Sequence, residues 1–205
     1  MENFKSNIKL LIIKFCLMFF IVVYLGFFLK ASDFDFKIMS LIQINNIFVK
    51  NDLLFFITKF ITFLSNSVVY IVLLPALIIM YRKDKKFLMV LIGGFLICFL
   101  LNEFIKLIVS RERPVQFFKI FVYGYSYPSG HAMNSSFFYL TFSGILYRKY
   151  RFKFIRVFSF VLVLLIAISR VLLGVHWLSD VVIGILFGSF LSNIALDVYD
   201  NFWRN

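Results

Sequence analysis

Long apolar runs separated by short basic clusters constrain this chain more than any other feature. Hydrophobic residues make up 62% of it and charged residues only 16%, with Phe at 30 positions. A soluble domain of 205 residues has no interior large enough to hide that much apolar surface, so lipid must be the solvent for much of the chain. The formal charge of +12 would suit nucleic acid if it were gathered on one face or tail. The Lys and Arg residues instead sit in clusters between apolar runs, which is the pattern of membrane topology, and no nucleic-acid partner is implied. Cys16 and Cys98 both lie within apolar runs, so no structural disulfide is expected. The basic and then apolar beginning lacks a small-residue cleavage site and reads as a retained anchor.

These features predict an all-α fold: a polytopic integral membrane helical bundle of six transmembrane helices plus an interfacial helix, forming a single membrane-embedded domain over residues 1–205. The first span covers residues 9–29, with Lys14 snorkelling near its inner end. Residues 30–51 are mixed, with Asp33, Asp35, Lys37 and the pair Asn45-Asn46, and predict a surface loop with a short interfacial helix. Ser65-Asn66-Ser67 interrupts the next apolar stretch, giving an interfacial or partly inserted helix to Leu64 and a second span from Ser67 to Met80. Further spans are expected at about 87–109, Gly130–Tyr147, Ile155–Leu173 and Leu178–Leu196. Six spans put Lys5, Lys9, Lys14, the 82–86 cluster and the 148–156 cluster on one side, which the positive-inside rule makes cytoplasmic. The loop 110–127 then faces outward although Arg111, Arg113 and Lys119 against Glu112 make it basic, so those charges need a reason other than topology.

Three outward-facing segments hold nearly all the polar chemistry. Lys106 and Arg113 stand seven residues apart, about two helical turns, and share a face if the third span continues that far. They read either as lipid-headgroup anchors or as a phosphate clamp, with Arg113 a planar fork and Lys106 a point charge. Asn102 and Glu103, one turn earlier, either orient or neutralise Lys106. Tyr127-Pro128-Ser129-Gly130-His131 is either ordinary turn chemistry or an anion site. In the second reading it offers a hydroxyl, backbone N–H groups, the positive end of a helix and an imidazole. Ser169-Arg170 followed by His176 and Asp180 forms the last segment; on a helix His176 and Asp180 are i,i+4 neighbours, so the carboxylate can hold one ring nitrogen and free the other. The bland alternative there is an interhelical polar contact.

The ordered series Lys106…Arg113-Pro114, Pro128-Ser129-Gly130-His131 and Ser169-Arg170…His176…Asp180 resembles the three-part signature of the type 2 phosphatidic-acid phosphatase superfamily, all of it within residues 106–180. Residues 1–105 resemble the small bacterial members in hydropathy and layout alone. The resemblance implies that His176 attacks phosphorus, that Asp180 holds its tautomer, and that His131 protonates the leaving oxygen. It also implies that Lys106, Arg113, Ser129, the Gly130 N–H and Arg170 bind the phosphoryl oxygens. A positive clamp of this kind replaces a metal, and no metal ligands, cofactor or protein partner are implied.

The expected protein is an integral membrane lipid-phosphate phosphatase acting through a phosphohistidine on a lipid phosphate or diphosphate, of the undecaprenyl diphosphate, phosphatidylglycerol phosphate or phosphatidic acid type. Its expected home is the cytoplasmic (inner) membrane, with the site on the extracytoplasmic side and membrane lipids around it. The alternatives are a lipid phosphotransferase with the same site and a non-catalytic lipid-binding or transport protein. An oxidoreductase of vanadium haloperoxidase type is remote, since those relatives are soluble. Phe117, Phe118, Tyr123 and Tyr125 read either as selectivity residues or as an interfacial aromatic belt.

Overall fold

A computed structural model describes residues 2–30, 32–44 and 46–201, with side chains from residue 8 onward. Asn45 and the Lys5 side chain, both used in the topology reading, lie outside the described residues. The chain is all-helical: α1 (Glu2–Leu29), α2 (Asp33–Ile44), α3 (Asp52–Phe63), α4 (Ser67–Met80), α5 (Lys85–Val109), α6 (Gly130–Tyr150), α7 (Lys153–Leu172) and α8 (Leu178–Asn201). Leu17, Phe20, Phe28, Ile79 and Phe154 point outward and are each more than half exposed. Such a belt is stable only against hydrocarbon.

Within the described residues, Ile8–Leu29, α5, α7 and α8 are long and apolar enough to cross a membrane, and α3 with α4 counts as a fifth if that bent pair is one broken span. The six expected spans are therefore not all recovered by length and apolarity. The reason lies in α6, which has 21 residues but low hydropathy. It is the axis of the bundle, packed against α5, α7 and most extensively α8, so few of its side chains need to suit lipid. Its buried hydroxyls are satisfied locally or across to α8. Ser135 and Ser136 donate to the Ala132 carbonyl, and Thr141 donates to Ser192 at 3.0 Å. Close approach to α8 is possible because a Cβ at Gly188 would overlap the Met133 carbonyl.

The break between α3 and α4 is fastened to α6. Tyr139 Oη donates to the Leu64 carbonyl at 2.6 Å, and Ser65 Oγ donates to the His131 carbonyl at 3.0 Å. Asn66 then caps α4 by accepting from Val68 N. The mixed 30–51 stretch forms more than a surface loop. Gln43 and Asn46 donate to the carbonyls of Val171 and Leu172 at the end of α7, and so dock α2 across the α7–α8 turn.

The two ends of the bundle differ in chemistry. At one end Lys149 pairs with Asp84, and Arg148 with Asp200 at 2.7 Å, bringing both basic clusters together. The three signature segments meet at the other end, about 27 Å away along α6 if measured from His131 to Lys149.

Candidate active site

The site is built from helix ends. Lys106 lies in the last turn of α5 and Arg170 in the last turn of α7, where carbonyl dipoles favour cations. Helix α5 stops at Val109 because Ser110 takes a left-handed conformation, φ 49°. Arg113 is thus off the helix and does not share a helical face with Lys106. It reaches the same place from the loop, with Nε donating to Gly124 O and Nη1 to Val175 O, both at 2.8 Å.

His176 and Asp180 also meet by a route other than the i,i+4 face of one helix. His176 lies in the turn before α8, and Asp180 is in the helix's first turn, where its Oδ2 accepts from Trp177 N at 3.0 Å in the manner of a capping box. The turn depends on Gly174, whose φ of +68° and contact with the Phe117 carbonyl leave no room for a Cβ. Asp180 Oδ2 stands 3.6 Å from His176 Nδ1, beyond a full hydrogen bond, while Arg113 Nη1 lies 3.1 Å from Nε2. A guanidinium can only donate, so Nε2 carries the lone pair and the proton sits on Nδ1, toward Asp180.

These groups line one cavity of about 480 Å³. Lys106, Arg113, Arg170, Gly130, His131 and His176 all face it, and among the described residues Glu103 is its one carboxylate. Gly130 is needed at the rim, since a Cβ there would lie 2.9 Å from Asn102 Oδ1 and 3.4 Å from Lys106 Nζ. Glu103 pairs with Lys106 at 2.6 Å as one sequence reading had it. Asn102 does something else, donating to Pro128 O at 3.3 Å and so bracing the Pro-Ser-Gly turn. Arg170 is held by Thr62 of α3, its Nη1 donating to Oγ1 at 2.8 Å. Ser129 is the one expected phosphate ligand set back from the cavity wall. It is the N-cap of α6, and its buried hydroxyl has no partner among the described residues. Among those residues no group of three His, Cys, Asp or Glu side chains is arranged to hold a metal.

Burial drives the His176 pKa well below 6.5, and Arg113, Arg170 and Lys106 push it the same way against a small opposing effect of the Ser126 backbone. Burial also lowers Arg113, with Asp180 and Glu103 working against it. The site therefore presents a neutral imidazole whose Nε2 lone pair faces the cavity, met by Arg113, beside three cations, which is the equipment for attack on an anionic electrophile.

Two groups escaped the sequence reading. Arg111, which looked like a misplaced topology charge, is 2% exposed and bridges Asp180 (Nη1–Oδ1 2.6 Å) to Asp35 (Nη2–Oδ2 2.7 Å). Asp35, which looked like a surface-loop acid, is fully buried. The local signals available were two acids opening α2 and a third cation beside Arg113-Pro114, neither of which specifies a pairing.

Residues 87–204, more than half of the chain, match the PAP2 superfamily. The chain is 28% identical over 171 residues to an undecaprenyl-diphosphatase of Sulfolobus acidocaldarius, spanning 80% of this chain and 78% of that one. It is 34% identical over 127 residues to phosphatidylglycerophosphatase B of Bacillus subtilis, spanning 59% and 62% of the two. The crystal structure of a transmembrane PAP2-type phosphatidylglycerolphosphate phosphatase from Bacillus subtilis superposes with a TM-score of 0.78 at 25% identity, over 91% of this chain and 96% of that one.

The electrostatics predict a titration. With two histidines in the chain, ¹⁵N-imidazole NMR of the detergent-solubilised protein, assigned with His131→Ala, isolates His176. It should remain neutral as pH falls through about 6.5, because a depressed pKa means that the proton is taken up only at lower pH. Arg113→Gln removes a facing cation and should move the transition upward. A His176 that titrates near 6.5 in the unsubstituted protein contradicts the arrangement.

Proposed function

The chain belongs to the PAP2 superfamily, and we propose that it is an integral membrane lipid-phosphate phosphatase that works through a phosphohistidine at His176. The observation that carries this reading is the cavity itself. It joins a cationic end at His176 Nε2 to apolar walls formed by Ile71 and Leu74 of α4 and Leu96 and Phe99 of α5. Ile71 and Leu96 are themselves largely exposed to the surrounding lipid, so the apolar end is open sideways. A phosphate headgroup suits the first end and an acyl or polyprenyl tail the second. Undecaprenyl diphosphate and phosphatidylglycerol phosphate are the substrate types favoured, in keeping with the names of the relatives.

In this mechanism the His176 Nε2 lone pair forms a bond to phosphorus as the bond to the leaving oxygen breaks. The electron pair departs with that oxygen, which takes a proton from the His131 imidazolium. Lys106, Arg113, Arg170 and the Gly130 N–H hold the equatorial oxygens while charge spreads over them. Arg113 Nη1 already points at the attacking atom, so it needs little movement to donate to a phosphoryl oxygen. Positive charge that builds on the His176 ring is balanced by Asp180 on its far side. Water then attacks the phosphohistidine, His131 takes its proton, and the P–N bond breaks.

The same proposal puts the site on the extracytoplasmic face of the cytoplasmic membrane. The basic clusters around Lys85 and Arg148 lie at the opposite end of the bundle, and the positive-inside bias assigns that end to the cytoplasm. Six membrane crossings, with α6 counted by its length, then carry the chain between the faces.

Two outcomes are expected. Across a panel of lipid mono- and diphosphates, purified protein should release phosphate and form an acid-labile, base-stable phosphoenzyme. His176→Ala should abolish both while remaining folded and inserted, and turnover at a comparable rate in that variant would refute the nucleophile. For orientation, single cysteines at Ser110 and Tyr150 in a Cys16/Cys98-free background are treated in intact cells with a membrane-impermeant thiol reagent. Position 110 should label and position 150 should not; the reverse pattern overturns the placement.

A further inference from the structure

Behind His176, on the side away from the cavity, lies a buried charge cluster that the mechanism above does not use beyond Asp180. Arg111 sits between two carboxylates, bonded to Asp180 through Nη1 and to Asp35 through Nη2. Ser179 closes the group: its backbone N–H donates to Asp35 Oδ1 at 3.1 Å, its hydroxyl bonds Asp35 Oδ2, and Arg111 Nη1 also reaches that hydroxyl at 2.7 Å. The Trp177 ring covers the guanidinium at 5.5 Å, and its Nε1 donates to the Glu112 carbonyl. Burying three charges is costly, and replacing such clusters with apolar residues is often neutral or stabilising. Fold stability alone is thus a weak reason for Asp35.

The charge count supplies a stronger reason. A guanidinium bonded to Asp180 alone would neutralise it, and His176 would face a balanced pair. With Asp35 on the other edge, two carboxylates share one cation, and the cluster keeps one net negative charge beside the imidazole. That charge is wanted at one moment, when the ring becomes cationic. The geometry is rigid, because α2 is docked by Gln43 and Asn46 on the end of α7, and α2 also packs on α8. Asp35 does not line the cavity, so it has no route to substrate except through Arg111 and Asp180.

We propose that Asp35 is a positioning residue for this site, holding Arg111 from the far side so that Arg111 orients Asp180 without cancelling its charge toward His176. The inference rests on the phosphohistidine reading above. It predicts that loss of the Asp35 charge slows formation and breakdown of the phosphoenzyme and leaves substrate binding nearly unchanged.

The test is a rapid-quench experiment on full-length protein in detergent with radiophosphate-labelled phosphatidylglycerol phosphate, reading burst amplitude, burst rate, kcat and KM. Asp35→Asn keeps the shape and removes the charge. Its burst amplitude per folded molecule should match the unsubstituted protein, its burst rate and kcat should fall roughly 10- to 100-fold, and KM should stay within about threefold. Asp35→Glu restores the charge one methylene further out and should recover part of the lost rate. A merely structural Asp35 would instead lower amplitude and leave the rate of the surviving fraction intact, and that result overturns the proposal. If Asp35→Asn yields no folded protein, Ser179→Ala is read in the same assay. It removes the hydroxyl's bonds to Asp35 and Arg111 and leaves every charge in place. A slower burst at full amplitude supports the proposal, and an unchanged burst rate rejects it. Failure of the phosphatase reading is distinguishable, because the unsubstituted protein would then give no burst at all, or His176→Ala would give one.

Discussion

Three positive charges on one small cavity, with a single partly exposed carboxylate among its described lining, are the constraint that the rest of the structure answers. Like charges repel strongly in a membrane-embedded, low-dielectric setting, and each is costly to remove from water. The fold offsets this with helix ends. Lys106 and Arg170 occupy the last turns of α5 and α7, where carbonyl dipoles point at them. Arg113 is tied to two loop carbonyls, and Arg170 to Thr62. What these contacts leave over is excess positive potential aimed at one volume, which an anion would relieve. Burial keeps His176 neutral, and the same positive excess pushes it the same way.

The bundle explains how soft packing holds this arrangement to the tolerance that chemistry requires. Helix α6 carries Gly130 and His131 at its first turn and is gripped along its length by α8, while the α3–α4 break is pinned to it through Ser65 and Tyr139. Loop 110–129 is stitched to the α7–α8 turn by Lys119 N to Leu173 O and to the first turn of α8 by Ser129 N to the Asp180 carbonyl. The three sequence segments are thus joined by backbone hydrogen bonds as well as by side-chain bonds such as Asn102 Nδ2 to Pro128 O and Arg111 Nη1 to Asp180 Oδ1.

Much of this was legible in the sequence. The apolar runs and the break at Ser65-Asn66-Ser67 correspond to helices within a few residues, because lipid imposes a length and composition that need no tertiary knowledge. Lys106, Arg113, Gly130, His131, Arg170 and His176 do converge on one cavity. Two conditions that the sequence left open were settled by local geometry. Helix α5 does not continue to Arg113, and His176 lies in the turn before α8, since spacing alone cannot register a left-handed residue at Ser110 or a capping turn at Trp177. Asp35 and Arg111 were opaque for a different reason. They stand 76 residues apart, so nothing in either neighbourhood encodes the pairing. The low hydropathy of α6 is the opposite case, where burial inside the bundle relaxes the rule that identifies its neighbours.

The central claim is that this cavity is preorganised around a five-coordinate phosphorus with His176 Nε2 as one apical ligand. Orthovanadate adopts that geometry, and an enzyme built for the transition state should hold it more tightly than phosphate. The most direct measurement is a crystal structure of the protein with orthovanadate. The account predicts vanadium bonded to His176 Nε2, equatorial oxygens within hydrogen-bond reach of Lys106, Arg113 and Arg170, and His131 facing the opposite apical oxygen. Vanadate bonded to His131, or lying in the cavity with His176 Nε2 still held by Arg113, would contradict it.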